Sequence, residues 1–457
     1  MKEYTIKIKP FEILSILNFK SVQQMNEHGY VQLSARIRSD RKKEYIQKAA
    51  KETWVEIFGY DESGNEKAIF CGILSEFSVS GGLDGCVMDL LIYTGSKLMD
   101  VQKHQRSFQD PGYTYRQIAD CCNEAYPKAG MIMTAGKNAS VSGFLMQYQE
   151  TDWAFLKRLA SSLHTMLVPS CVVIGEKYFF GIPEKRAEGN LDTEDYTVIQ
   201  ENTGNQNRAN KGISICYRVS SRECYSLGDY MIFHGEKCYI WKMETIWKGN
   251  ELWHTYDLKK KEDLWVPQIY QNELVGLSLM GRVNAIEKEQ VQICLDNDEN
   301  RQSGNCWFAF STVYSSPDGT GWYCMPEIGD EIRLVLPDQD ESHAYAAGSV
   351  HVGSAGGRTN PDEKSWKNKQ KKEIVFTPEA VIMRNNAGLL LELSDQKGIR
   401  ICSDKDIFVQ SEGDLRIQSK SAGIQMSAES QIRMQQGAAE IQMEDQIHIS
   451  GGKIYMN

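Results

Sequence analysis

From Leu391 to the last residue, the chain repeats one short phrase: two apolar residues flanking a polar one, then a polar or glycine turn. The pairs are Leu391 and Leu393, Ile399 and Ile401, Ile407 and Val409, Leu415 and Ile417, Ile424 and Met426, Ile432 and Met434, Ile441 and Met443, Ile447 and Ile449, and Ile454 and Met456. First members recur after 8, 8, 8, 9, 8, 9, 6 and 7 residues. In extended backbone, residues two apart share a face, so each phrase predicts a short strand that is apolar on one side only. A lone ribbon of such strands leaves that side in water. The array must close on itself or on other copies of the chain.

An intertwined triangular prism is the closure these short phrases favour. The apolar pairs face its axis, and three chains bonded edge to edge leave no open edge along the shaft. Nine units stacked at ~4.8 Å give a shaft of roughly 40 Å. Arg400, Phe408, Arg416, Gln425, Arg433, Gln442 and His448, the middle residues, then face outward, and Phe408 is the misfit. A single-chain solenoid is the rival, but it needs coils of roughly 20 residues or more around larger cores.

Upstream, the pattern is again one of strands. Met1 to Pro10 alternates like an edge strand, Tyr30 to Ile37 places Val31, Leu33, Ala35 and Ile37 on one face, and Trp54 to Phe58 and Ala68 to Phe77 follow. Two helices interrupt. Thr114 to Ala125 sets Tyr115, Ile118, Ala119 and Cys122 at helical spacing, and Thr151 to Leu163 stripes Trp153, Leu156, Leu159, Ala160 and Leu163, with Thr151 or Asp152 as its cap. Strands return over residues 168 to 270. Residues 276 to 352 hold five or six strands in ~75 residues, which suits a small closed barrel.

Composition narrows the function classes. A net charge of −10 argues against nucleic-acid binding. The 12 cysteines include no C-x-x-C pair, and Cys216, Cys238 and Cys294 sit among apolar neighbours, as reduced core thiols do. No uninterrupted apolar run suggests a signal peptide or a membrane helix. The 8 histidines form no H-E-x-x-H or H-x-H motif, and His448 stands alone between Ile447 and Ile449, so no metal site is expected. The carboxylate runs Asp296 to Glu299 and Asp338 to Glu341 read as solvated turns in barrel loops, and no nucleophile elbow or phosphate loop is present.

The segment from Gly281 to Val350 resembles the OB domain of VgrG proteins, the spikes of type VI secretion and related contractile injection machines. The landmarks are Gly281-Arg282-Val283, the strand before Asp296, Cys306-Trp307, Gly321-Trp322, Met325 to Glu331, and Gly348-Ser349-Val350. Gln147 to Leu159 and Phe108 to Ile118 are similar to the hub helices of VgrG and phage late-control D proteins.

The resemblance implies a mainly β homotrimer: a first hub barrel (1–100), a helical insertion (101–167), a second hub barrel (168–272), an OB neck (273–352), a linker (353–373) and a β-prism needle (374–457). It further implies a tail-tube (Hcp-like) protein, baseplate proteins and effector cargo as partners, with a PAAR-type tip protein meeting Ile454, Tyr455, Met456 and Asn457. The needle core would be the pairs from Leu391 to Ile449. No cofactor, metal or catalytic residue is expected, and the protein would be assembled in the cytoplasm and carried out in the particle. A wall-degrading enzyme on the spike and a receptor-binding fibre are the alternative readings.

Overall fold

A computed structural model describes residues 6–60, 66–82, 85–187, 191, 193–202, 213–300, 304–349, 360–450 and 452–453. By its contacts the chain divides into two units, residues 1–352 and 353–457.

An eleven-stranded sheet dominates the first unit. Its order is Lys7–Lys9, Trp54–Tyr60, Glu66–Gly82, Gly85–Tyr93, Tyr30–Ile37, Ser15–Gln24, Glu236–Lys248, Glu251–Lys260, Ile213–Ser221 and Tyr196–Asn202, with Tyr230–Phe233 also paired to Glu236–Lys248. Strict alternation drives this: Val31, Leu33, Ala35 and Ile37 are all buried. The strands of residues 7–93 and of 196–260, read as two barrels, share one ladder. Ser15–Gln24 pairs antiparallel with Glu236–Lys248, from Gln24 opposite Lys242 to Lys20 opposite Ile246. One core runs beneath both groups, from Phe19 and Leu33 to Ile240 and Tyr256.

Among the described residues, three α-helices accompany this sheet. α1 (Lys42–Ala49) has no counterpart in the sequence reading, because Tyr45 is its one buried residue and no stripe announces it. α2 (Tyr115–Asn123) begins with a capping box: the Thr114 hydroxyl accepts from the Gln117 amide while the Gln117 side chain accepts from the Thr114 amide. In α3 (Asp152–Ser161), Thr151 is the cap, accepting from the Ala154 amide. The expected stripe of α3 is buried at Trp153, Leu156, Leu159 and Ala160. Around these helices lie a hairpin of Lys103–Phe108 with Leu145–Thr151 and a three-stranded sheet of Leu167–Pro169, Lys177–Phe180 and Gly130–Met133.

A closed barrel ends the first unit. Its strands are Leu277–Glu287, Gln290–Leu295, Phe308–Ser311, Glu331–Leu336 and Tyr345–Ser349, arranged first, second, third, fifth, fourth and back to first. The third and fifth strands run parallel. Gly281 is needed where the first two strands cross closely, since a Cβ there would lie 2.7 Å from the Cys294 carbonyl oxygen. Gly321, at a φ of +143°, sits 2.4 Å from the Tyr314 oxygen by the same measure. Gly321 makes an isolated antiparallel bridge with Ser315, and Trp322 and Tyr323 after it extend it into no sixth strand. Cys216 and Cys238 are buried as expected, but Cys294 is exposed: Val291, Ile293 and Leu295 take the inward positions of its strand and turn Cys294 out.

The second unit is a five-stranded antiparallel meander, Lys364–Lys367, Glu373–Phe376, Ala380–Arg384, Leu390–Ser394 and Gly398–Cys402. A three-stranded one follows, Ile432–Gln436, Ala439–Met443 and Ile447–Ser450. The first of these strands falls within the stretch read as linker.

Candidate functional site

Among the described residues, no group of three or more His, Cys, Asp or Glu side chains is placed to hold a metal ion, and no helix is long and apolar enough to cross a membrane. One arrangement has hydrolase-like residue types. His28 Nδ1 lies 2.9 Å from Ser96 Oγ, and its Nε2 lies 3.3 Å from Asp100 Oδ2. Thr151 Oγ1 donates to Asp100 Oδ1 at 2.6 Å, and the His28 and Thr151 hydrogen bonds hold that carboxyl well below the usual range. Ser96 is 1% exposed, so no substrate carbonyl can reach it. The arrangement is a tether: it ties the strand turn at His28 to the start of α3.

Charged side chains instead gather where the hairpin beside α3 meets the barrel. Arg158 donates from Nη1 to Glu341 Oε1 at 2.6 Å, from Nη2 to Glu150 Oε2 at 3.1 Å and to the Met146 carbonyl at 2.8 Å. All three charged side chains are nearly fully buried. Burial pushes the Glu150 carboxyl up, and the Arg158 guanidinium opposes that push.

A second cluster lies alongside. Arg106 Nη1 donates to Asp152 Oδ1 at 2.6 Å, and His104 Nδ1 meets Glu299 Oε2 at 2.7 Å. The Gln105 amide also donates to Glu299, at 2.9 Å. Burial would raise Glu299, but the Gln105 amide and His104 outweigh it and leave the carboxyl below its ordinary value. The Ser107 amide and hydroxyl donate to Asp298, and the Asn300 side chain donates back to the Ser107 carbonyl at 2.8 Å. Phe144 and Met146 of the same hairpin enter the barrel core beside Val291 and Leu334.

The carboxylate runs expected to be solvated turns are therefore corrected in part. Asp298 and Glu299 fasten the barrel to the hairpin and Glu341 fastens it to α3, whereas Asp338 and Asp340 stay local, holding His343 and Ser342. The fastening carboxylates escaped the sequence reading because their partners lie more than 180 residues away.

The terminal repeat shows a second kind of order. Trp366, Ile374, Met383, Leu391 and Ile401 stand opposite one another across all five strands of the first meander. A parallel row runs through Phe376, Val381, Leu393 and Ile399. Both rows lie on one face, and the first of them lines a groove of about 710 Å³. The second meander repeats the register, with Ile432, Met443 and Ile447 in one row and Met434, Ile441 and Ile449 in the other. Arg400 stands opposite Glu392, and Gln442 opposite Arg433 and His448, in the row between the apolar ones. Trp366, Ile374, Phe376, Val381 and Met383 continue the two rows upstream of Leu391.

Within the single chain these rows stay largely uncovered. Ile399 is 73% exposed, and between the meanders Ile407, Val409, Leu415, Ile417, Ile424 and Met426 lie outside any described strand and are all exposed. Phe408, the misfit, is 84% exposed. The expected tip contacts Ile454, Tyr455, Met456 and Asn457 lie outside the described residues.

No protein-family model matches the sequence, and no curated protein matches it. Solved structures do. The E. coli c3393 protein, a component of the type VI secretion system similar in structure to the T4 tail proteins gp27 and gp5, aligns with a TM-score of 0.54 at 12% identity. That alignment covers 76% of this chain and 100% of the other. A chain of the lidded Francisella PdpA–VgrG complex aligns at 0.58 with 9% identity, covering 88% and 80%. In the half-lidded complex the score is 0.57, with 87% of each chain covered. At such identities the likeness is one of architecture, and in architecture this chain is built like the VgrG and phage tail-spike proteins.

Proposed function

We propose that this chain is a structural spike subunit of a contractile injection system and works as a homotrimer. In this reading the sheet-and-helix region of residues 1–272 forms a hub on which the tail tube is laid. The closed barrel is an OB-type neck, a reading supported by its strand order and by its parallel third and fifth strands. From Lys364 onward, three chains wind into a prism needle that breaches the target envelope.

One observation carries the proposal: two apolar rows in register, uncovered in the isolated chain. Burying a Leu, Ile or Met side chain stabilises by ~1.5–3 kcal/mol, so three copies facing an axis gain a large driving force. Force from the contracting sheath would travel along a continuous backbone ladder, where bending breaks many hydrogen bonds together. A tube protein at the hub and a tip protein at the needle end are the partners this reading requires.

The mass in solution tests it. A value near three times 51.9 kDa is expected; a monomer at micromolar concentration overturns the proposal.

A further inference from the structure

We infer that the cavity between the eleven-stranded sheet and the three-stranded sheet binds an anionic amphiphile: a mainly apolar molecule with a carboxylate at its outer end and a hydrogen-bonding group at its inner end. The site lies within one chain and does not depend on the trimer reading. The cavity holds about 560 Å³, within the ~300–1,000 Å³ of ordinary small-molecule sites. Ile69 and Met243 of the large sheet, Pro169 and Phe179 of the small one and Leu227 of a loop make its wall apolar. Val172 and Val173, also in the wall, are 41% and 49% exposed. Apolar side chains left in water beside a cavity mark a place where something binds.

Two polar groups in this wall lack partners. Gln23 is buried; its Nε2 donates only to Ser21 Oγ, at 3.4 Å, and its side-chain oxygen accepts from no described group. Tyr225 is buried as well, and its hydroxyl has no partner. Buried polar groups are hydrogen-bonded as a rule, because an unmade bond leaves their full desolvation uncompensated. A ligand group that reaches Gln23 would make the missing bond.

The charges define the other end. Glu184 accepts from Lys237 at 2.6 Å, from Lys261 at 2.7 Å and from the Tyr239 hydroxyl at 3.0 Å, so its carboxylate is satisfied. Lys185 Nζ lies 3.9 Å from Asp229. Lys67 is exposed and donates to the Cys224 carbonyl at 2.6 Å, and no described carboxylate pairs with it. A cation without a counter-charge in the wall of an apolar cavity favours an anion, and a carboxylate there gains a charge-assisted hydrogen bond. Depth sorts the two ends, since Lys67 faces solvent and Gln23 does not.

Calorimetric titration of the full-length protein with decanoate, ω-hydroxydecanoate and decanol tests this. Both acids should bind saturably, the hydroxy acid more tightly, and decanol should bind about tenfold more weakly than decanoate. Lys67→Glu should weaken both acids about tenfold or more, with the thermal midpoint of the protein unchanged. Lys420→Glu, in the terminal repeat, should leave their binding as it is. Absence of saturable binding overturns the site. Equal loss in the two variants, or loss in neither, means that the acids collect on apolar surface elsewhere, and overturns it too. Decanol as tight as decanoate overturns the anionic end, and ω-hydroxydecanoate no tighter than decanoate overturns the inner one.

Discussion

Arg158 shows how much one residue can fix. It spans two buried carboxylates, one on the hairpin strand and one in a barrel loop. Removing one partner of a buried ion pair typically costs about 3–5 kcal/mol, because the remaining charge stays desolvated. Arg158→Ala should therefore lower urea stability by that amount. Arg282→Ala, which breaks an exposed pair with Glu331, should cost under about 1 kcal/mol; equal losses would contradict the assignment of Arg158 as the fastening residue. His254 adds a pH dependence. Burial lowers its pKa to about 4, and its Nδ1 lies 2.7 Å from Thr245 Oγ1. The folded value lies below the ordinary one near 6.5, so the stability this residue contributes is complete above about pH 6.5. It is lost as pH falls toward 4, by about 3 kcal/mol in all. Denaturation midpoints of His254→Gln should be flatter over that interval than those of the parent. Neither residue's role was legible in the sequence: Arg158 looked like the polar side of an amphipathic helix, and His254 like one more residue of a strand.

Elements were far more legible, and the reasons are physical. Tyr30–Ile37 and Leu390–Ser394 were readable because apolar residues recur at every second position, Val31 to Ile37 in the first and Leu391 and Leu393 in the second, and a period of two is the mark of extended backbone. α3 was readable from its stripe and cap. α1 was not, since a helix that buries only Tyr45 leaves no period to detect. The carboxylate-rich barrel loops misled because local composition says nothing of partners brought by the fold. In the terminal repeat, the faces of the strands set the expectation. Leu415→Ser with Ile417→Ser should lower the thermal midpoint of the assembled protein substantially, while Arg416→Ser, between them, should change it little. If all three serines act alike, the apolar pairs are not the core of the assembly.

At the scale of the whole molecule, contacts divide the chain after residue 352. The sequence reading did not foresee that the two β-regions of residues 7–93 and 196–260 share a ladder, because pairing between strands some 220 residues apart leaves no local mark. The rows through Trp366 and Leu391 have a further bearing on size. The proposed needle, built of phrases in register, would have a length that changes in whole steps. Deleting residues 407–414 brings Leu415 to the place of Ile407 and keeps every later apolar residue in phase, so the variant should assemble as a needle one unit shorter. Deleting Arg416 alone brings Leu415 and Ile417 together, so one of the two must leave the apolar row, and assembly should fail. Relatives of this chain could then differ in reach by adding or losing phrases, with the upstream sheet and closed barrel untouched, as a ruler is cut only at its marks.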